Sequence, residues 1–279
     1  MAAAFVAVRR FCAVTMWRAA FVFLLSAVGS ASAQERVDAE LVIAVDVSDS
    51  MGLAELRHQR RGYVAAFRSP EVVSAIREGR LGRVAVTYVE WARDDRKRVI
   101  VPWTIVEDEE TAGAVATQLE IARVRNMRRT SISGAIRFGI EALASNRIEA
   151  DRQVIDISGD GPNNQGEPVS SARDLAVARG ITINGLPLLV QPWYPGLRLG
   201  APGLDLYYEQ CVIGGPNSFM VPVRSWEEFP AAVRHKLVIE LAGRPPEDVV
   251  VRADLKIGPD VDCLIGERAR RDFESRYPG

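Results

Sequence analysis

Histidine and cysteine are scarce in this chain: 279 residues include two His, at 58 and 235, and three Cys. A serine nucleophile needs a neighbouring base, and neither His58 nor His235 has a suggestive setting, which argues against a serine hydrolase. Charge of one sign is also missing. Lys plus Arg total 35 against 36 Asp plus Glu, a formal net charge of −1, so no basic field marks nucleic acid as the partner. The local cluster Arg123, Arg125, Arg128 and Arg129 reads as a solvated helix end and loop. No apolar run reaches the roughly 20 residues of a comfortable membrane span, and no internal repeat is visible. What is present is bulk. With 48% apolar residues, the chain can bury one large core, with at most a small appendage.

The N-terminus follows a three-part pattern. Arg9, Arg10 and Arg18 precede the apolar run Ala19–Val28, and Gly29-Ser30-Ala31-Ser32-Ala33 follows it. A positive flank, a short apolar stretch and an Ala-x-Ala end form a secretory signal, with cleavage expected after Ala33 and Met16 as an alternative start. Residues 1–33 carry those three Arg and no acid, so their removal takes the formal charge from −1 to −4. It also removes Cys12, leaving Cys211 and Cys263. In an exported chain these two can pair, stapling the C-terminal tail to the domain, although sequence alone does not bring their Cα atoms within reach.

Along the mature chain, apolar β-branched runs alternate with helical spacing. Strands are expected at Leu41–Val45, Val84–Val89, Arg98–Trp103, Val154–Ile157, Ile181–Leu186 and Ser218–Val223. The second and third flank the turn Arg93-Asp94-Asp95-Arg96 and predict an antiparallel hairpin at one edge. Helices are expected at Leu53–Phe67, at Val72–Gly79, at Thr111–Ala122, at Ile132–Ala144, at Val169–Ala178, briefly at Leu204–Gln210, and at Trp226–Ala242. Residues 187–204, rich in Pro and Gly, read as a long irregular loop, and 244–279 as a tail packed loosely or disordered. The expected architecture is α/β and doubly wound: a mostly parallel central sheet, helices on both faces and one antiparallel edge strand.

In such sheets ligands gather at the carboxyl ends of the strands, and three polar segments fall there. Asp46-Val47-Ser48-Asp49-Ser50 follows the first strand, Thr130-Ser131-Ile132-Ser133 precedes a helix, and Gly159-Asp160-Gly161 follows a central strand. In an extended turn, residues i, i+2 and i+4 point to one side, so Asp46, Ser48 and Ser50 converge. Gly52 and Gly161 are expected to let the backbone bend around them. Together with Thr130 and Asp160 they form a set of hard oxygen donors without His or thiolate, suited to Mg²⁺, Mn²⁺ or Ca²⁺ rather than zinc. Two carboxylates and three hydroxyls leave part of an octahedral shell open for an anionic ligand.

These segments resemble the metal-ion-dependent adhesion site of von Willebrand factor type A domains, whose pattern is Asp-x-Ser-x-Ser, then Thr, then Asp. More narrowly, Tyr88-Val89-Glu90-Trp91, Thr130-Ser131-Ile132-Ser133, Ile157–Asn164 and Cys211–Pro216 resemble the DUF1194 group of exported bacterial proteins with such a domain, from about Val37 to Ala242. The resemblance implies a Rossmann-like domain over 37–243. It also implies a periplasmic or secreted location, no catalysis, and a protein partner whose Asp or Glu completes the shell of an ion held by Asp46, Ser48, Ser50, Thr130 and Asp160. Two positions depart from the pattern. Asp49 stands where a small residue is usual, and Gly159 replaces the common Thr before Asp-Gly.

Blander readings compete. Asp46 and Asp160 also suit helix caps; Asn163 and Asn164 suit turns as well as the ordering of water near the ion. Glu90 reads either as reaching towards the ion or as a surface residue, and Asp156, inside a strand, as a structural hydrogen-bond partner. Trp91, Trp103 and Trp226 read as packing, and Trp193 as a partner contact. Two other functions remain open: a phosphatase-like hydrolase, for which Ser48 stands where a second carboxylate is needed, and a structural module with a vestigial metal site.

Overall fold

The computed structural model of the protein describes residues 34–190, 203–243, 251–252 and 260–276. The expected signal at 1–33 and Trp193 lie outside the described residues.

Strand β1 (Glu35–Asp46) lies inside a seven-stranded sheet. The spatial order is β3 (Lys97–Val106), β2 (Val84–Trp91), β1, β4 (Ile148–Gly159), β5 (Thr182–Pro187), β6 (Phe219–Met220) and β7 (Val251–Arg252). Neighbours from β2 to β6 pair in parallel; β3 runs antiparallel to β2, as the hairpin predicts. The far edge adds β7, a two-residue antiparallel strand inside the stretch expected as a loose tail.

The sheet is covered on both sides, and β1 shows why its sequence is a continuous apolar run. Leu41, Ile43 and Val45 enter one core with α1 (Leu53–Phe67), α2 (Pro70–Arg77), α3 (Glu109–Ile121) and α7 (Phe229–Ala242). Val42 and Ala44 enter the other, with α4 (Ile132–Ser145), α5 (Val169–Ala178), α6 (Leu204–Tyr207) and a π-helical turn at Tyr208–Val212. A strand buried on both faces needs no alternation. Each Val, Leu or Ile so buried contributes about 1.5–3 kcal/mol relative to exposure.

Strands β1 and β4 begin about six residues earlier than the apolar runs suggest. Their early residues are polar but satisfied by neighbours. The Asp38 carboxylate accepts the Leu81 and Arg83 amides, and Glu40, fully buried, accepts from Asn146 and Gln153. Helix α2 starts two residues before the expected Val72, because Ser69 accepts the Val72 amide and Pro70 suits the first turn.

The stretch expected as a loose tail contains helix α8 (Ile265–Arg276), and this part is not loose. Cys211 and Cys263 form a disulfide with Cα atoms 5.5 Å apart. Beyond it, Asn163 Nδ2 donates to Glu267 and Arg270 donates to the Asn164 carbonyl. Gly266 packs so closely on the Asn163 carbonyl that a Cβ there would collide with it. A charged, weakly apolar segment is held by one covalent link, by polar contacts and by the packing of Val261 and Ile265 against the second core. Residues 244–250, 253–259 and 277–279 lie outside the described set.

Candidate metal centre

The strand order reverses between β1 and β4, and such a reversal opens a crevice at the carboxyl ends. Val45 pairs with Ser158, so Asp46 at the end of β1 lies level with Gly159, and Asp160 follows at once. The first loop is pinned through its backbone. Val47 donates to the Trp91 carbonyl (2.9 Å) and accepts from the Met127 amide (2.8 Å), while Gln59 of α1 donates to the Asp46 carbonyl (3.0 Å).

Four of the five expected side chains form one hydrogen-bonded set. Asp46 Oδ1 accepts the Ser48 amide at 2.7 Å, the Ser48 and Ser50 hydroxyls lie 2.9 Å apart, and Ser50 Oγ donates to Asp160 Oδ1 at 2.8 Å. Thr130 stands on the adjacent loop, tied to the third segment by its backbone. Its amide donates to Asn164 Oδ1 (3.0 Å) and its carbonyl accepts the Asn164 amide (2.9 Å). The neighbouring Asn163 Oδ1 accepts from the Ser133 amide at 3.0 Å. Asn163 and Asn164 therefore lock the second and third loops together.

The electrostatics of this set are unbalanced. Asp46 is fully buried, and its Oδ2 has no hydrogen-bond partner among the described residues. Burial raises its carboxyl well above the ordinary range, and the charge of Asp160 adds to the effect. Burial likewise raises Asp160, against the lowering effect of the Ser50 hydrogen bond. Among the described residues no Lys or Arg pairs with either. Two close carboxylates, hydroxyls at hydrogen-bond distance and an unpartnered buried oxygen fit a hard divalent cation. Among the described residues, no group of three or more His, Cys, Asp or Glu could hold a metal. Any ion here would therefore rely on two carboxylates plus hydroxyls, a set poor in charge.

Several other expectations resolve. Glu90 is neither at the surface nor directed at the centre: it is 2% exposed and paired with Arg60 and Arg98. Asp156 is structural, 2.6 Å from Lys236 Nζ. Gly52 has an extended backbone, and neither it nor Gly161 has a positive φ, so the loops do not depend on glycine at those positions. The close approach is at Gly159 instead, where a Cβ would stand 2.9 Å from Tyr208 Oη and 3.1 Å from Asp46 Oδ2. Asp49 is half exposed and lies 3.7 Å from Arg128, on the loop leading to Thr130. Trp91 is buried, and Trp226 packs against His58 and Phe229.

Sequence reasoning missed Tyr208. Its hydroxyl is buried without a partner beside this acid pair, and burial, followed by the Asp46 charge, raises its ionisation well above the usual phenol range. The one available signal was indirect: a side chain missing at Gly159 leaves space that another residue fills.

A family model described as "Protein of unknown function (DUF1194)" matches residues 36–245. The chain belongs to the DUF1194 family. No curated protein matches it. Among solved structures, this DUF1194 chain is similar to proximal thread matrix protein 1 of the mussel byssus, with TM-score 0.53 and 16% identity over 75% of the chain and 49% of the mussel protein. A second structure of that protein, with a zinc-occupied metal-ion-dependent adhesion site, matches at TM-score 0.53 and 17% identity over the same shares. The pilus adhesin SpaC of Lactobacillus rhamnosus GG matches at TM-score 0.52 and 13% identity, over 74% of the chain and 31% of SpaC. The DUF1194 chain thus spans about half the length of the mussel protein or less than a third of SpaC. At these identities the likeness establishes the fold, which is von Willebrand factor type A-like.

Proposed function

We propose that the protein is an exported, metal-ion-dependent protein-binding module. Asp46, Ser48, Ser50, Thr130 and Asp160 would hold one divalent cation, directly or through water, with Mg²⁺, Mn²⁺ or Ca²⁺ favoured by the donors. The cation would supply a positive centre able to take an Asp or Glu carboxylate from a partner protein. One observation carries this reading: the fully buried Asp46, with an unpartnered oxygen, and the partly buried Asp160 beside it have no Lys or Arg paired with them among the described residues. The zinc-occupied site in the similar mussel protein supports a metal at this place in the fold. It also makes Zn²⁺ worth testing beside the harder ions.

Export is supported by the signal-like pattern at 1–33 and by the Cys211–Cys263 disulfide, a bond that persists in oxidising compartments. Among the described residues no helix is long and apolar enough to cross a membrane. Nothing in the arrangement requires catalysis, since Ser48 and Ser50 have no neighbouring His to act as a base. Calorimetry with Mg²⁺ and Mn²⁺ tests the site: the wild type binds one ion, and Asp46→Ala folds but does not. Equal binding by the two proteins would refute the assignment. Turnover of ester or phosphate substrates that depends on Asp46 or Ser50 would replace it with a hydrolase.

A further inference from the structure

Tyr208 is fully buried among Val42, Ala44, Ile157, Ile183 and Met220, surroundings that suit a phenylalanine. A hydroxyl carried into an apolar cluster without a partner is costly, so its presence calls for a use. The slot around the side chain is built from two glycines on adjacent strands. At Gly185 of β5 a Cβ would stand 2.7 Å from Tyr208 Cδ1, against the ring; at Gly159 of β4 it would stand 2.9 Å from the hydroxyl. That second point is also 3.1 Å from Asp46 Oδ2, the other unpartnered buried oxygen of this region. The two oxygens thus border the room of one absent side chain without bonding each other. The π-helical turn at Tyr208–Val212 delivers the tyrosine there, and such turns concentrate at functional sites.

We propose that Tyr208 is a positioning residue of the metal centre: its hydroxyl and Asp46 Oδ2, unbonded to each other in the metal-free chain, border the gap left by Gly159, and the hydroxyl donates to Oδ2 across it when the cation is held. With Oδ2 held from below and Oδ1 held by the Ser48 amide, the carboxylate is fixed in its orientation towards Ser48, Ser50 and Asp160. A neutral donor serves better than a cation here, because Lys or Arg at this place would cancel the charge that attracts the ion. The inference rests on the cation reading of the centre.

The test compares Mn²⁺ affinity by calorimetry, and metal-free thermal unfolding, in the disulfide-intact wild type and three variants. Tyr208→Phe weakens Mn²⁺ binding about 10- to 100-fold, the usual range for a residue that orients a metal ligand, while its metal-free midpoint stays level or rises. A purely structural tyrosine would give the reverse, a lower midpoint and unchanged affinity. Gly159→Ala, which keeps Tyr208 but fills the gap, also weakens binding and decides the matter should Tyr208→Phe not fold. Gly159→Ser combined with Tyr208→Phe restores a hydroxyl beside Asp46 and recovers affinity. Wild-type affinity in both Tyr208→Phe and Gly159→Ala overturns the role of Tyr208 and leaves the cation site intact. A wild type that binds no ion overturns both.

Discussion

Strand β4 buries one acid within its length, Asp156, and leads directly into another acid, Asp160, and the protein balances these two in opposite ways. Asp156 faces Lys236 of α7 at 2.6 Å, and Lys236 also pairs with Glu240, which in turn accepts from Asn184 at 2.9 Å. All three charged residues of that cluster are buried, and a cation is built into the chain. Among the described residues, Asp160 and its neighbour Asp46 are answered only by hydroxyls and amides. The difference separates two uses of the same residue type. A buried acid with an internal cation is structural, whereas an acid pair without one is the place where we propose that a cation from outside binds.

The largest expected effect breaks the closed cluster. Lys236→Ala leaves Asp156 and Glu240 buried without their cation and costs about 3–5 kcal/mol in urea unfolding, with metal binding retained in whatever fraction folds. The closed cluster also governs pH dependence. Burial, then the charge of Asp156, raises the Glu240 carboxyl to about 7. The folded state therefore keeps a proton that the unfolded chain releases near the ordinary carboxyl value of 4.5. Stability from this group is complete below about 4.5, is lost as pH rises to about 7, and is level above that. The loss amounts to roughly 3 kcal/mol. Glu240→Gln removes that part of the slope in unfolding measurements between pH 5 and pH 8.

The open pair behaves in the other sense. At a free ion concentration about 100 times the dissociation constant, wild-type unfolding shifts by about 2.7 kcal/mol. Asp46→Asn shows no such shift, and its metal-free stability is equal to or above that of the wild type, because a buried repulsive charge is gone. A loss of several kcal/mol in metal-free Asp46→Asn would erase the contrast between the two regions. The smallest effect belongs to the rim. Asp49→Ser frees Arg128 from an exposed pair worth about 1 kcal/mol or less; stability is unchanged within error, and binding of an acidic partner, read by titration, improves by a few fold at low salt.

The alternation of apolar runs with helical spacing was sufficient to read the doubly wound sheet, the β2–β3 hairpin and the order of the helices, because burial on both faces writes itself into local composition. The convergence of the first loop was legible for a similar reason: Asp46, Ser48 and Ser50 lie within five residues, and alternate positions in an extended turn share a side. Strand ends such as Asp38 and Glu40, and the tail helix α8, were not legible. Their polar groups are paid for by partners tens of residues away or more.

Sequence by itself determined which oxygens the protein owns and at which strand ends they emerge. Tertiary structure alone decided that Asp46 and Asp160 lie together with no Lys or Arg paired to either among the described residues, that Glu90 and Asp156 are balanced by Arg and Lys, and that Tyr208 borders the gap at Gly159. The physical reason is the range of the forces. Apolar periodicity is a property of neighbouring residues, but the balance of a buried charge depends on every group within a few ångströms, wherever the chain brings it from.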